Sequence, residues 1–451
     1  MSSKLRKNRR RAVAAAAAAM LIGSVLAPVQ AAASNGARAS AGLAERTAAE
    51  RPADSLAPPV TAASRQNAAE AYSIVAIGDS LTVGFEHGFT EQSVPYGYVE
   101  RVYEQALFQG LRAEYANYGV LGLTSAGLRT WLEAAAAGDA VAAADIEGAD
   151  KDPRAGTILA HTGQLAEKLK SADLIVVTIG GNDFIPLAQL IMEGGRSDVD
   201  ALMDETLKQY EASVEASVRL LLEMNPKASV VLADQYVPVP KIGDYLDDYN
   251  KLSGEAAKLR EALERIADKE TSAGFRVALA DVAKAFDGKA LIYTSIGSGD
   301  MHPKQPGYEA MGKAFAQAVW GEYRTVRPRP AGVPLSIVVG GKELDTPNKP
   351  VVKNSRTYVA MRDIADATGA KLVWNSRTQS ATLTLDGRSV VFAIGAATAL
   401  VDGKAVPIDA PAYLQKVGKE LKTYLPLAAL SEALGFQVVF RPQGKIAFIN
   451  K

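Results

Sequence analysis

The sequence predicts an α/β domain built on a five-stranded parallel sheet, followed by a smaller α+β domain made of two copies of one unit. Three observations carry this reading. Between residues 71 and 327, five short apolar runs alternate with amphipathic helical stretches, the pattern of buried strands joined by crossover helices. The stretch Tyr323–Pro334 then carries Arg324, Arg327, Pro328, Arg329 and Pro330, which reads as an extended linker with its centre at 328–334. Beyond it, Tyr358–Trp374 aligns with Tyr424–Phe440 at an offset of 66, an internal repeat.

The amino end comes first. Lys4, Arg6, Lys7, Arg9, Arg10 and Arg11 precede an apolar run from Ala12 to Ala27, and Ala31-Ala32-Ala33 offers a small-residue cleavage site before Ser34. Residues 1–33 therefore read as a secretory signal peptide; the run is short for a membrane span. Residues 34–70, rich in Ala, Ser, Arg and Pro, read as a flexible linker. The 50 basic and 50 acidic residues balance, so loss of the six basic residues of the leader leaves the mature chain near −6. That charge predicts no nucleic-acid partner. With the leader removed, no transmembrane segment is expected, and the location is predicted to be extracellular. The chain has no cysteine, which excludes a thiol nucleophile, disulfides and a thiolate metal site.

The strands are expected at Ile74–Ile77, Ala113–Tyr118, Leu174–Ile179, Val230–Ala233 and Val277–Ala280. Helices are expected near 97–110, 126–137, 157–170, 199–224, 246–270 and 308–323. Within 199–224, Leu202, Leu207, Tyr210, Val214, Val218, Leu221 and Leu222 recur at three- and four-residue steps, one apolar face. The chemistry lies where the strands end, the edge at which open α/β sheets bind ligands. The first strand runs into Gly78-Asp79-Ser80-Leu81, the second into Asn117–Thr124 with Gly122, and the third into Gly180-Gly181-Asn182-Asp183. The fifth is followed by Ser298–Pro303 with His302. A nucleophile, a base and donors for a developing oxyanion thus fall at one sheet edge. The mature chain has three histidines. His87 lies about two helical turns past Ser80, and His161 opens a surface helix, so His302 is the base by elimination and by position.

These four blocks, in this order, resemble those of the GDSL hydrolases, also called the SGNH superfamily, over about 250 residues. The resemblance implies a flavodoxin-like three-layer α/β/α fold and a carboxylic ester hydrolase, an esterase or lipase, that needs no cofactor. It further implies Ser80 as nucleophile, His302 as base, and an oxyanion hole made by the Ser80 and Gly122 backbone N–H groups with the Asn182 side chain. The family carries its acid three residues before the histidine, and that position is Gly299 here. Asp300, two before His302, is read as the acid; on such a short loop its carboxylate can meet the imidazole or point away and leave a backbone carbonyl to orient the ring.

Phe184, Ile185 and Leu187 follow Asn182 and read either as an acyl pocket or as core. Tyr236, leaving the fourth strand, reads as another substrate wall. Asp145, Glu147, Asp150 and Asp152 do not match a calcium loop and read as a solvated insertion. Trp131 reads as core. No phosphate loop or zinc-ligand spacing is present, and no metal is expected.

In residues 335–451 each copy reads as strand, short helix ended by Gly369 or Gly435, then a hairpin. This half resembles the copper amine oxidase N-terminal-like, or stalk, domain of secreted bacterial proteins. The resemblance implies a spacer or a module that binds cell-envelope polymer, with a passive stabilising appendage as the alternative; no histidine follows His302, which argues against copper. The expected substrate is an acyl lipid, with O-acetyl groups on envelope polysaccharide as the second reading. A non-catalytic cell-wall-binding scaffold is the rival from another class.

Overall fold

The first five strands form one parallel sheet: β1 (Tyr72–Gly78), β2 (Ala113–Gly119), β3 (Leu174–Thr178), β4 (Ser229–Ala233) and β5 (Arg276–Ala280), in the order β2-β1-β3-β4-β5. The structure, a computed structural model, describes residues 70–90, 92–192 and 199–451. The predicted signal peptide and nearly all of the predicted linker at 34–70 lie outside the described residues. Among the described residues, no helix is long and apolar enough to cross a membrane.

All five strands sit where the apolar runs place them. The helices that matter for site and core are α1 (Ser80–Val83), α2 (Tyr98–Phe108), α3 (Ser125–Ala137), α4 (Thr162–Ser171), α5 (Ile185–Met192), α6 (Val199–Met224), α7 (Leu246–Ser272) and α8 (Gln305–Trp320). The expected single helix at 157–170 is two. The Thr162 hydroxyl bonds back to the Leu159 carbonyl and accepts from the Trp131 indole, and the chain turns there. Trp131 is fully buried, as its core reading requires.

Strand side chains alternate between two cores. Val75 and Ile77 pack with Trp131, Leu165, Leu221 and Leu263 from α3, α4, α6 and α7. Ile74 and Ala76 pack with Val99 and Phe315 from α2 and α8. This is the doubly wound three-layer arrangement, with its switch point between β1 and β3. Gly78 stands beside Gly119 of β2 and Thr178 of β3, so the first three strands end level and side by side.

Strands dominate the second domain. The first copy supplies β6 (Ser336–Val339), β7 (Lys342–Glu343), β8 (Val351–Lys353), β9 (Arg356–Ala360), α9 (Met361–Thr368), β10 (Lys371–Asn375), β11 (Ser380–Leu385) and β12 (Arg388–Ala393). The second supplies β13 (Thr398–Val401), β14 (Lys404–Pro407), β15 (Tyr413–Val417), β16 (Glu420–Pro426), α10 (Leu427–Ala433), β17 (Gln437–Arg441) and β18 (Ile446–Asn450). The copies interleave. They meet at β9 and β16, the β17–β18 hairpin joins β6–β7, and β10–β11 reaches β13–β14 through β12. Neither copy can complete its sheets alone, which is the physical reason for the repeat.

The second domain is docked on the first. Phe448 meets Phe108 edge-on, with ring centroids 4.9 Å apart. Val338, Ile446 and Phe448 belong to the same buried cluster as Leu107 and Leu111. The Asn450 amide donates to the carbonyls of Leu107 (2.9 Å) and Leu111 (2.8 Å) at the end of α2. Gln437 exchanges two hydrogen bonds with the backbone of Ala113, covering the open edge of β2 as a further strand would. Arg441 donates to Glu104 at 2.8 Å, with side-chain exposures of 13% and 9%. Even the Arg/Pro-rich connection is tied down, since Arg324 donates to the carbonyls of Phe108 and Gly341.

Candidate active site

The turn after β1 is built to hold Ser80. Gly78 has φ +147, and a Cβ there would lie 2.1 Å from the Thr178 carbonyl oxygen, so only glycine lets β1 end this close to β3. Asp79 caps α1: its Oδ1 accepts from the Leu81 N–H (3.0 Å) and the Thr178 hydroxyl (2.9 Å). Asp79 is 2% exposed. Burial pushes Asp79 up to about 6, although the Thr178 and Leu81 hydrogen bonds and the nearby His302 pull it back.

The folded protein therefore holds the Asp79 proton more tightly than the unfolded chain, whose value is near 3.8. The stability from the protonated form is fully present below about pH 4 and is lost as the pH rises through about 6. The loss is on the order of 2–3 kcal/mol. Asp79→Asn should escape it. In urea unfolding, the variant should gain on the native chain by that amount between pH 4 and pH 8; a difference that does not vary with pH would contradict the assignment.

Ser80 Oγ lies 2.9 Å from His302 Nε2, and His302 Nδ1 lies 2.6 Å from Asp300 Oδ1. A carboxylate can only accept, so Nδ1 carries the proton and Nε2 is free to accept from the serine hydroxyl. Asp300 Oδ1 also accepts from the His302 backbone N–H at 2.9 Å, which fixes the loop that brings the two residues together. The two-residue spacing thus turns the carboxylate towards the ring. Burial alone would raise Asp300, but the His302 ring, the His302 N–H and His87 outweigh it and hold the carboxyl down at about 2. The imidazole is seated by the Phe85 ring, 4.6 Å away between centroids.

The two donor loops are fastened to each other. The Asn182 amide donates one hydrogen to the Leu123 carbonyl (2.9 Å), and Ser125 donates through its N–H and hydroxyl to Asp183. One Asn182 N–H remains beyond that bond. Gly122 has φ +82, and a Cβ there would lie 2.6 Å from the Gly148 carbonyl oxygen. The reason corrects the reading of residues 145–152 as a solvated insertion in part: Asp145, Glu147 and Asp150 are exposed, as that reading expects, but Asp152 is not. Ile146, Ala149 and Asp152 are buried, and Asp152 accepts from the Leu121 N–H at 2.9 Å while pairing with Arg154. The insertion is a brace behind the Gly122 loop.

The proposed wall residues divide. Phe184 is half-buried with its edge against Tyr210, and Ile185 is half-buried at the start of α5. Leu187 is 2% exposed and packs in the core, so it lines no substrate wall. Tyr236 stacks on Phe286 and donates its hydroxyl to the Met301 carbonyl at 2.8 Å, bracing the loop that carries His302. His87, which the sequence places away from Ser80, reaches Asp300 instead: Nδ1 lies 3.2 Å from Oδ2. The chain's three histidines were the available signal, but a partner 213 positions away is not readable from spacing.

Residues 76–310 match the GDSL-like Lipase/Acylhydrolase family, and residues 338–449 match the Copper amine oxidase N-terminal domain. The second match carries a metal in its name, but residues 338–449 hold neither histidine nor cysteine, the imidazole and thiolate donors suited to copper, and no chemistry here is assigned to one. No curated protein matches the chain. Among solved structures, the lipase Lip_vut3 from a goat rumen metagenome is similar at 20% identity and a TM-score of 0.37, over 56% of this chain and 99% of that one. Axe2, an acetylxylan esterase from Geobacillus stearothermophilus, is similar at 18% identity and a TM-score of 0.35, over 56% of this chain and 96% of that one. The family match spans just over half of the chain and contains Ser80, Gly122, Asn182, Asp300 and His302, and the chain belongs to the GDSL-like lipase/acylhydrolase family, the carboxylic ester hydrolases.

Proposed function

We propose that the chain hydrolyses carboxylic esters through an acyl-enzyme on Ser80. The observation that carries this reading is the unbroken relay from Ser80 Oγ through the His302 ring to Asp300, at 2.9 and 2.6 Å. His302 Nε2 takes the Ser80 proton as Oγ bonds to the ester carbon, and the carbonyl oxygen takes the charge. Collapse breaks the bond to the alcohol, which leaves with that proton. Water then attacks the acyl-enzyme with His302 again as base, and the carboxylic acid departs. The Ser80 and Gly122 N–H groups and the free Asn182 N–H hold the oxyanion. Asn182→Ala should lower kcat by about 10²–10³-fold with little change in KM. Steady-state kinetics check this, and a loss under threefold would take Asn182 out of the hole.

An acyl lipid is the favoured substrate. Ile242 and Leu246 follow β4, and Leu291 and Ile292 follow β5, at exposures of 59%, 42%, 48% and 61%. Lys241 joins the two loops by pairing with Asp287 at 2.9 Å. Exposed apolar side chains on loops that leave the same ends of the strands as Ser80 suit an apolar acyl chain. A series of p-nitrophenyl esters from two to sixteen carbons, with Ser80→Ala as control, tests this. An optimum at eight carbons or more supports lipid, and an optimum at acetyl supports deacetylation of polysaccharide. The scaffold reading rested on the displaced acid, and with Asp300 against the imidazole it loses that support.

Export is part of the proposal, on the strength of the basic head, apolar run and Ala31-Ala32-Ala33. The secreted protein should begin at Ser34 by intact mass; retention of residues 1–33 would overturn it. Binding of envelope polymer by residues 335–451 is tested by retention of the full chain on isolated cell walls.

A further inference from the structure

Asp300 serves two histidines. Its Oδ1 takes the His302 ring and backbone N–H, and its Oδ2 takes His87 Nδ1 at 3.2 Å. The carboxylate side chain is 11% exposed, so water has little access to replace a missing partner. His87 comes from the segment after α1, far from Asp300 in sequence, and that segment is fastened to the start of α8. The Tyr308 hydroxyl donates to the Phe85 carbonyl at 2.6 Å, and Gln305 donates to Glu86. Phe85, two residues before His87, packs on the His302 ring. One short segment thus supports the base through Phe85 and reaches the carboxylate through His87.

We infer that His87 is a positioning residue for Asp300: its Nδ1–H fixes the second carboxylate oxygen, so that an acid two residues before the base presents Oδ1 to His302. The two-residue step explains why a second donor is needed. On so short a loop both bonds from Asp300's own loop, the His302 ring and the His302 N–H, fall on Oδ1 and leave Oδ2 without a local partner. A donor on Oδ2 holds the other side of the carboxylate, so the group cannot twist away from the imidazole. The bond is charge-assisted, since Asp300 stays ionised. This rests on the reading of Asp300 as the acid of the relay, and the test separates the two.

The experiment is a double-mutant cycle on full-length mature protein, with His87→Leu, His87→Asn, Asp300→Ala and the combination of His87→Leu with Asp300→Ala. The His87 side chain is 47% exposed, so its removal leaves no sealed cavity. His87→Leu should lower kcat by about tenfold with KM unchanged, the size of one charge-assisted hydrogen bond. His87→Asn keeps a donor near the Nδ1 position and should recover most of the loss. In the Asp300→Ala background, His87→Leu should cost nothing further. A kcat within twofold of native for His87→Leu, no recovery in His87→Asn, or an undiminished loss in the Asp300→Ala background would overturn the inference while leaving Asp300 as the acid. A silent Asp300→Ala would overturn both.

Discussion

Ser80→Ala is expected to lower kcat for a p-nitrophenyl ester by about 10⁴–10⁶-fold, with the fold intact. The size follows from the arrangement. Covalent catalysis, general-base catalysis and the charge on the imidazole all pass through one Oγ, so removing it idles His302 and Asp300 as well. The oxyanion donors survive and leave residual catalysis. Ser80 packs on no core residue through its hydroxyl; its bond is to His302. The melting temperature should therefore stay within a few degrees of native. A variant that keeps more than a hundredth of native turnover would mean that another group attacks the ester.

Loss of the second domain is expected to destabilise the first. Cutting the chain before residue 332 would bare Leu107, Phe108 and Leu111, strip Asn450 from the end of α2, and open the edge of β2 that Gln437 covers. It would also leave Glu104, 9% exposed, without Arg441. Arg441→Ala isolates that last effect. Removing one member of a buried pair strands the other charge and costs roughly 3–5 kcal/mol. Urea unfolding followed by tryptophan fluorescence and circular dichroism should give one shared transition for the full chain, moved to lower urea in Arg441→Ala. Two separate transitions, with the hydrolase transition unchanged in the truncated chain, would show a tethered module instead of an integrated one.

These expectations differ in how far the sequence carried them. The four site blocks were readable because each is a short run at the end of a predicted strand, and parallel strands end on one edge. Ser80 therefore meets His302, and the loops of Gly122 and Asn182 are bonded to each other at the same sheet edge, as the topology predicts. Asp300 was readable as a candidate only, since two-residue spacing does not fix a side-chain torsion; the His302 N–H bond to Oδ1 does. The roles of His87 and Asp152 depend on tertiary contacts between distant loops; the scarcity of histidine and the acidic run at 145–152 mark these residues but not their partners. Leu187 looked equally like wall or core, because an apolar residue near a site satisfies both.

The domain interface was hidden for another reason. Phe448, Asn450 and Gln437 are ordinary residues for short strands, and the Arg/Pro composition around 324–334 matches a free spacer. What the composition does not reveal is that Arg324 and Arg329 spend their donors on backbone carbonyls, the latter on Gly444 at 2.8 Å. The repeat itself was legible, since Tyr358–Trp374 aligns with Tyr424–Phe440 without a gap and brings Gly369 onto Gly435. The exchange of hairpins between copies follows from sheet pairing alone.

The most direct test of the account is covalent trapping of the nucleophile. The protein is treated with a fluorophosphonate ester, and the adduct is located by peptide mass spectrometry. One adduct per chain is expected, on Ser80, formed far more slowly in His302→Ala. An adduct on another serine, or none in a folded sample that hydrolyses esters, would contradict it.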